Sequence, residues 1–143
     1  MVAFFIIFLP LLIFISIASY VIISLALQGI FKKAKIANTW AAWVPVYNNW
    51  KILEIGGQRG FWAIINFVPI INIVSTIMSY IAIYNINLKL GKGIGFYILF
   101  VFFPIIWLLI AAFDKSTWND SLGSPSLAQP AVPTKPSQPT TIV

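Results

Sequence analysis

The stretch VAFFIIFLPLLIFISIASYVIISLALQGIF, from Val2 to Phe31, contains no charged side chain. At 1.5 Å per residue it would form a helix about 45 Å long, more than a hydrocarbon core of roughly 30 Å requires. It is therefore expected to cross a membrane. A cleaved signal peptide would open with a basic region and carry an apolar stretch of only about 7 to 15 residues. The expectation is an uncleaved anchor, residues 1–31, in which Pro10 makes at most a kink because neighbouring helices can satisfy the carbonyl it frees.

The rest of the composition fits that start. The chain has 143 residues, 60% apolar and 8% charged, with a mean hydropathy of +0.94. A soluble domain would carry about 25% charged residues to wet its surface. Histidine and cysteine are both absent. Without them there is no imidazole base, and zinc, haem and iron–sulfur sites lose their usual ligands. No enzyme activity, metal or cofactor is expected. Nine basic and three acidic residues leave a net charge of +6. The basic residues flank apolar runs, so anionic lipid headgroups, not nucleic acid, are the expected counter-charge. A membrane-protein partner or a second copy of the chain is the expected protein contact.

Lys32, Lys33 and Lys35 follow the first run directly. An excess of Lys and Arg in a flanking loop sets orientation, which puts the N-terminus outside a cell membrane and the cluster in the cytoplasm. Two more apolar runs, Phe61 to Ile86 and Ile94 to Phe113, complete three predicted spans. That count leaves residues 87–93 outside and the C-terminus in the cytoplasm. Between the first two spans, Trp40, Trp43, Tyr47 and Trp50 recur at helical spacing. Lys51, Glu54 and Pro45 make this segment a poor span, so it reads as an interfacial or re-entrant aromatic helix, with a fourth span as the alternative. Val44, preceding Pro45, is expected to leave the α region.

The fold expected is thus an all-α membrane protein with three transmembrane helices, one aromatic interfacial helix and a disordered tail. Its parts are an anchor (1–31), a basic loop with the aromatic element (32–60), a two-helix membrane hairpin (61–118) and a Pro/Ser/Thr-rich tail (119–143). The tail reads as a flexible extension or a polyproline ligand, because it has too little apolar surface to offset its ordering entropy.

One motif repeats. Trp40-Ala-Ala-Trp-Val-Pro45-Val-Tyr-Asn48 and Trp62-Ala-Ile-Ile-Asn-Phe-Val-Pro69-Ile-Ile-Asn72 both end in Val-Pro-x-x-Asn, and Gly95-Phe-Tyr leading to Pro104 is a weaker copy. Proline frees a carbonyl in the turn before it, and the following asparagine can cap exposed backbone. Pro45, Asn48, Pro69 and Asn72 are therefore candidate structural residues of a kink or hairpin. Alternatively they contact a solute, since broken helices also line transporter sites. Polar stripes at Ser16, Tyr20, Ser24 and Gln28, and at Asn72, Ser75, Thr76 and Ser79, are expected to join helices by hydrogen bonds. Gly91-Lys-Gly-Ile-Gly95 lacks the spacing of a phosphate-binding loop and reads as a tight turn.

Lys32-Lys-Ala-Lys35, the Trp40 to Asn48 block, Leu53-Glu-Ile-Gly-Gly-Gln-Arg-Gly60-Phe-Trp62, Val68-Pro-Ile-Ile-Asn-Ile73 and Leu90-Gly-Lys-Gly-Ile-Gly-Phe96 together resemble an uncharacterised family of small bacterial multi-pass membrane proteins. The resemblance covers residue 31 to about 118. It departs at Asn38-Thr39, in place of Pro-Gly, and at Gln58-Arg59, in place of Lys-Pro. Members are sometimes joined to, or automatically named after, signal peptidase I, but none of that enzyme's catalytic Ser and Lys motifs is present here. The resemblance implies a membrane protein of unknown role, expected to be a scaffold or accessory factor of envelope or export machinery. The alternative is a small oligomeric transporter or channel built on the Pro-x-x-Asn breaks.

Overall fold

The computed structural model describes residues 2–128, and among these every regular element is helical. Helix α1 runs from Val2 to Lys33, straight through Pro10 and close to the predicted limits. Its uniformly apolar sequence leaves no polar face, and the long side chains from Ile6 to Ile17 are exposed. Burial starts only near Ser24 and continues through Ala26, Leu27, Ile30 and Phe31. Within the described residues α1 is the one helix long and apolar enough to cross a membrane, a property it shares with a signal sequence.

The two later apolar runs are not single helices, which corrects the expectation of three spans. Residues 61–86 divide into α3, Trp62–Ile65, and α4, which starts at Asn72 and ends at Lys89. Residues 94–113 divide into α5, Ile94–Phe102, and α6, Pro104–Phe113. The breaks are reversals of direction. In one straight helix Phe96 and Trp107 would stand about 16 Å apart along the axis. Their rings instead lie 5.9 Å apart, and Phe100 and Trp107 lie 5.2 Å apart. At the other end of the pair, Lys92 before α5 forms an ion pair with Asp114 after α6. Similarly, the Ser75 hydroxyl of α4 donates to the Trp62 carbonyl of α3.

The aromatic segment turns back in the same way. A 3-10 helix, Thr39–Trp43, descends beside α1, where Tyr20 donates its hydroxyl to the Trp43 carbonyl, and α2, Tyr47–Ile55, returns. The chain after α1 is thus three successive helical hairpins. Their open ends gather beside Lys33, and their closed tips point back along α1 towards its N-terminus.

Each tip carries a proline, and the repeat seen in the sequence is a repeat of geometry. The Asn48 amide donates to the Val44 carbonyl at 2.9 Å, Asn72 to Val68 at 3.0 Å, and Trp107 to Phe103 at 3.0 Å. In each case the bond passes over the proline and closes the turn. Val44 is extended, as the residue before a proline should be. Val46 and Ile70, directly after Pro45 and Pro69, both have positive φ, at 70° and 77°. Such values are costly for β-branched residues and were not foreseen. The N-cap positions of α2 and α4 are Val46 and Ile71, and neither helix has a side-chain cap there.

The core lies towards the open ends, where Phe31, Ile36, Ile55, Ile86 and Trp107 are fully or almost fully buried. Close packing there depends on small residues. A Cβ on Gly56 would meet the Ala82 backbone at 2.5 Å, and one on Gly60 would overlap the Trp50 ring.

Candidate functional site

Two features stand out, a charged base at the open ends and a cavity between the hairpins. All three acids and eight of the nine basic residues are among the described residues, most of them at the base, with Lys51 paired to Glu54 midway along α2 and 5.4 Å from the Tyr47 ring; Lys135 lies outside. No charged side chain occurs at a tip or on α1 before Lys32.

The base is tied together by ammonium groups acting as helix caps. Lys33 donates to the Ala111 carbonyl at 2.7 Å, the Asp114 carbonyl at 2.9 Å and the Asp114 carboxylate at 2.7 Å. These last carbonyls of α6 have no partner within the helix, and a cation there also suits the helix dipole. Burial by itself would raise the Asp114 pKa, but bonds from Lys33, Lys92 and Ser116 outweigh it and hold the carboxyl well below the usual carboxylate range. Lys89, fully buried, closes α2 in the same manner by donating to the Ile55 carbonyl at 2.8 Å, and it pairs with Asp120 at 2.8 Å. Asn85 donates to the Gly56 carbonyl at 2.9 Å, and Asn87 donates to the Lys92 and Gly93 carbonyls in the glycine turn.

The segment 114–128 lies as a strap over this base. Asn119 donates its amide to the Lys89 carbonyl and Leu127 to the Glu54 carbonyl, each at 2.8 Å, while the Ser124 amide donates to Asn85 Oδ1 at 3.2 Å. The first ten residues of the predicted disordered tail are therefore ordered against buried polar groups. The rest, 129–143, lies outside the described residues.

The Lys92–Asp114 and Lys89–Ile55 contacts also correct the predicted topology. Residues 87–93 lie at the same end of the molecule as Lys33 and Asp114, not at the opposite one.

The cavity, about 340 Å³, lies where five α-helices meet: Ile23 and Leu27 of α1, Asn48 of α2, Ile83 of α4, Phe100 of α5 and Pro104 of α6 line it. None of its lining residues is charged. Asn48 is one of the lining residues, but its Oδ1 is shielded from the cavity and has no hydrogen-bond partner.

The predicted site residues are distributed over these features. Pro45 and Pro69 sit at exposed tips, Asn48 lines the cavity, and Asn72 is exposed at the second tip, so the two asparagines do not share a site. The aromatic set does not form one helical face because Pro45 divides it. Trp40 packs on Tyr47 at 5.4 Å, Trp43 approaches Tyr20, and Trp50 donates to Glu54 Oε1 at 2.8 Å. Trp43 lies level with Tyr20, roughly 20 Å along α1 from Lys33 and thus far from the charged base. Of the orientation lysines, Lys33 is bound to α6 while Lys32 and Lys35 are exposed. The sequence reading missed Lys89, Asn85 and Asn87, although three polar residues ending an apolar run were a signal.

The model of a family of unknown function, DUF5684, matches residues 40–121. The chain belongs to this family. The DUF5684 match starts in the 3-10 helix and ends within the strap, so it takes in the three proline-tipped hairpins and leaves α1 ahead of it. No curated protein and no solved structure is similar to the chain.

Proposed function

We propose that this DUF5684 protein is a non-enzymatic membrane scaffold, held by α1 as a single span and by three hairpins that re-enter the bilayer from one face. The observation that carries the reading is the separation of charge: apart from the Lys51–Glu54 pair on α2, the described charged side chains collect at the base, while the tips expose Phe67, Ile70, Phe102 and Phe103. Water disfavours such tips and hydrocarbon does not. Each turn satisfies part of its backbone by its own hydrogen bond over the proline, which lowers the cost of entering lipid. At 1.5 Å per residue, α4 reaches about 27 Å, and α2, α5 and α6 about 14 to 15 Å. The hairpins thus fill the half of the bilayer nearest the base and pass deeper only along α4.

The concentration of lysine at the base supports a cytoplasmic base and an N-terminus on the far side. Lys32, Lys35, Arg59 and Lys115 are exposed there for anionic headgroups. The ordered strap offers a surface for a membrane-protein partner or a second copy.

The test uses the absence of native cysteine. Single cysteines at Val46, Ile70 and Phe102 should resist a membrane-impermeant maleimide from both sides and react only after detergent is added. Free reaction in intact vesicles would refute insertion of the tips.

A further inference from the structure

We propose that the protein is a wedge that gathers on, and promotes, bilayer bent convexly towards its charged base. The action rests on the proposed membrane reading and follows from the different widths that the molecule presents to the two leaflets. Lys33 is level with the end of α6, through its bonds to Ala111 and Asp114, and Tyr20 is level with the end of the 3-10 helix, through its bond to the Trp43 carbonyl. The stretch of α1 between them measures about 20 Å, and Val2 to Tyr20 adds about another 27 Å. The second hairpin goes deeper, but α4, about 27 Å long, still falls short of the roughly 48 Å of α1.

Width therefore falls with depth. Near Ile23 and Leu27 five α-helices meet around the cavity. Beyond Tyr20 there remain α1, the first turns of α4 and the second tip, and then α1 alone. At an overall helix diameter of about 10 Å, five helices displace about 400 Å² of leaflet and one helix about 80 Å². Ile6, Leu9, Phe14 and Ile15, which point to different sides of α1, are each more than half exposed, so no other described element widens that end. Exposed Lys32, Lys35, Arg59 and Lys115 hold the wide end at the headgroups and keep the wedge from sinking. In a flat bilayer this shape crowds the leaflet at the base and leaves the far leaflet to fill the space below the tips, where unfilled apolar volume forfeits contact. Convex bending at the base enlarges the crowded leaflet relative to the other and relieves both. Because linked equilibria are reciprocal, a protein that gathers on such curvature also promotes it when crowded.

The experiment places the full chain in giant phosphatidylcholine vesicles in mixed orientation and pulls a thin membrane tube outward. An impermeant maleimide dye on Lys35→Cys, added outside or sealed inside, marks base-out or base-in molecules of a chain without native cysteine. Base-out molecules should be several-fold denser in the tube than in the vesicle wall, and base-in molecules depleted. A triple variant, Val44→Lys with Ile70→Lys and Phe102→Lys, charges an exposed residue at each tip and makes its burial in hydrocarbon costly. It keeps α1 as anchor, and its sorting should vanish while far-UV circular dichroism shows its helices retained. Equal tube density of the two orientations, enrichment of base-in molecules, or undiminished sorting of the triple variant would each overturn the proposal. Ile70→Cys in the same vesicles separates this action from the membrane reading: a protected tip without sorting would overturn the wedge alone, and a tip reactive to impermeant maleimide would overturn both.

Discussion

Gly56→Ala is the substitution to which the packing of the hairpins is most sensitive. The new Cβ would stand 2.5 Å from Ala82 Cα, Cβ and carbonyl oxygen together. Ordinary contact begins near 3.5 to 4.0 Å, so α2 and α4 must separate by about 1 to 1.5 Å. Neither side can yield locally, because the obstruction is backbone. The same shift pulls on the Asn85 bond to the Gly56 carbonyl at 2.9 Å and the Lys89 bond to the Ile55 carbonyl at 2.8 Å. Overpacking costs about 1 to 3 kcal/mol, and weakening two buried bonds, one of them charged, adds about 1 to 2 kcal/mol. The expected loss is about 2 to 5 kcal/mol. Gly95→Ala is the matched control: a Cβ there meets nothing within 4 Å, and alanine in α5 should stabilise by about 0.5 to 1 kcal/mol. Reversible unfolding in detergent micelles, followed by circular dichroism, compares the two. A Gly56→Ala loss no greater than 0.5 kcal/mol, by roughly the error of such a measurement, would refute the close α2–α4 approach.

Three other predictions concern the base and the tips. Asp114→Asn should cost about 1 to 2 kcal/mol at pH 7, after solvent screening of a partly exposed cluster. Because the folded-state pKa of Asp114 is lowered, its contribution is complete above the unfolded value of about 3.9 and disappears as pH falls below it. An acid titration of unfolding should therefore steepen below pH ~4 in the native chain and less so in the variant; identical profiles would count against the ion cluster. Lys89→Ala should release the strap, so that the Asn119 and Leu127 amides exchange at least roughly tenfold faster in hydrogen-exchange mass spectrometry or NMR, and unchanged exchange would contradict the capping role. Ile70→Gly should stabilise the protein by about 1 kcal/mol, since it relieves a positive φ at a residue 85% exposed that contributes little packing; a lower unfolding midpoint would argue against that turn.

How far the sequence announced this structure depends on the range of the interactions involved. Helix α1 was legible to within two residues because its composition is self-sufficient. The Val-Pro-x-x-Asn repeat was legible as a recurring break, and Gly91 to Gly95 as a turn. The direction taken after each break was not. A 20-residue apolar run with an internal proline reads equally as a kinked span or as two short arms, and the choice is made by partners distant in sequence. Lys92 with Asp114 and Phe96 with Trp107 close the third hairpin. Opposite charges at the two ends of one apolar run were the available hint. The strap escaped notice for a similar reason: its Ser and Pro content predicts disorder, while its order comes from Asn85, Lys89 and Glu54 on other elements. Asn48 was singled out for capping backbone, yet its side-chain oxygen is buried without a hydrogen-bond partner.

Sidedness of the glycine turn tests the central claim most directly. Single cysteines at Lys35, Gly91 and Ser121, in sealed vesicles of known orientation, should all react with an impermeant maleimide from the same side, the side of Lys33. Reaction of Gly91→Cys from the opposite face, with the other two on the Lys33 side, would restore three full spans and contradict the re-entrant hairpins.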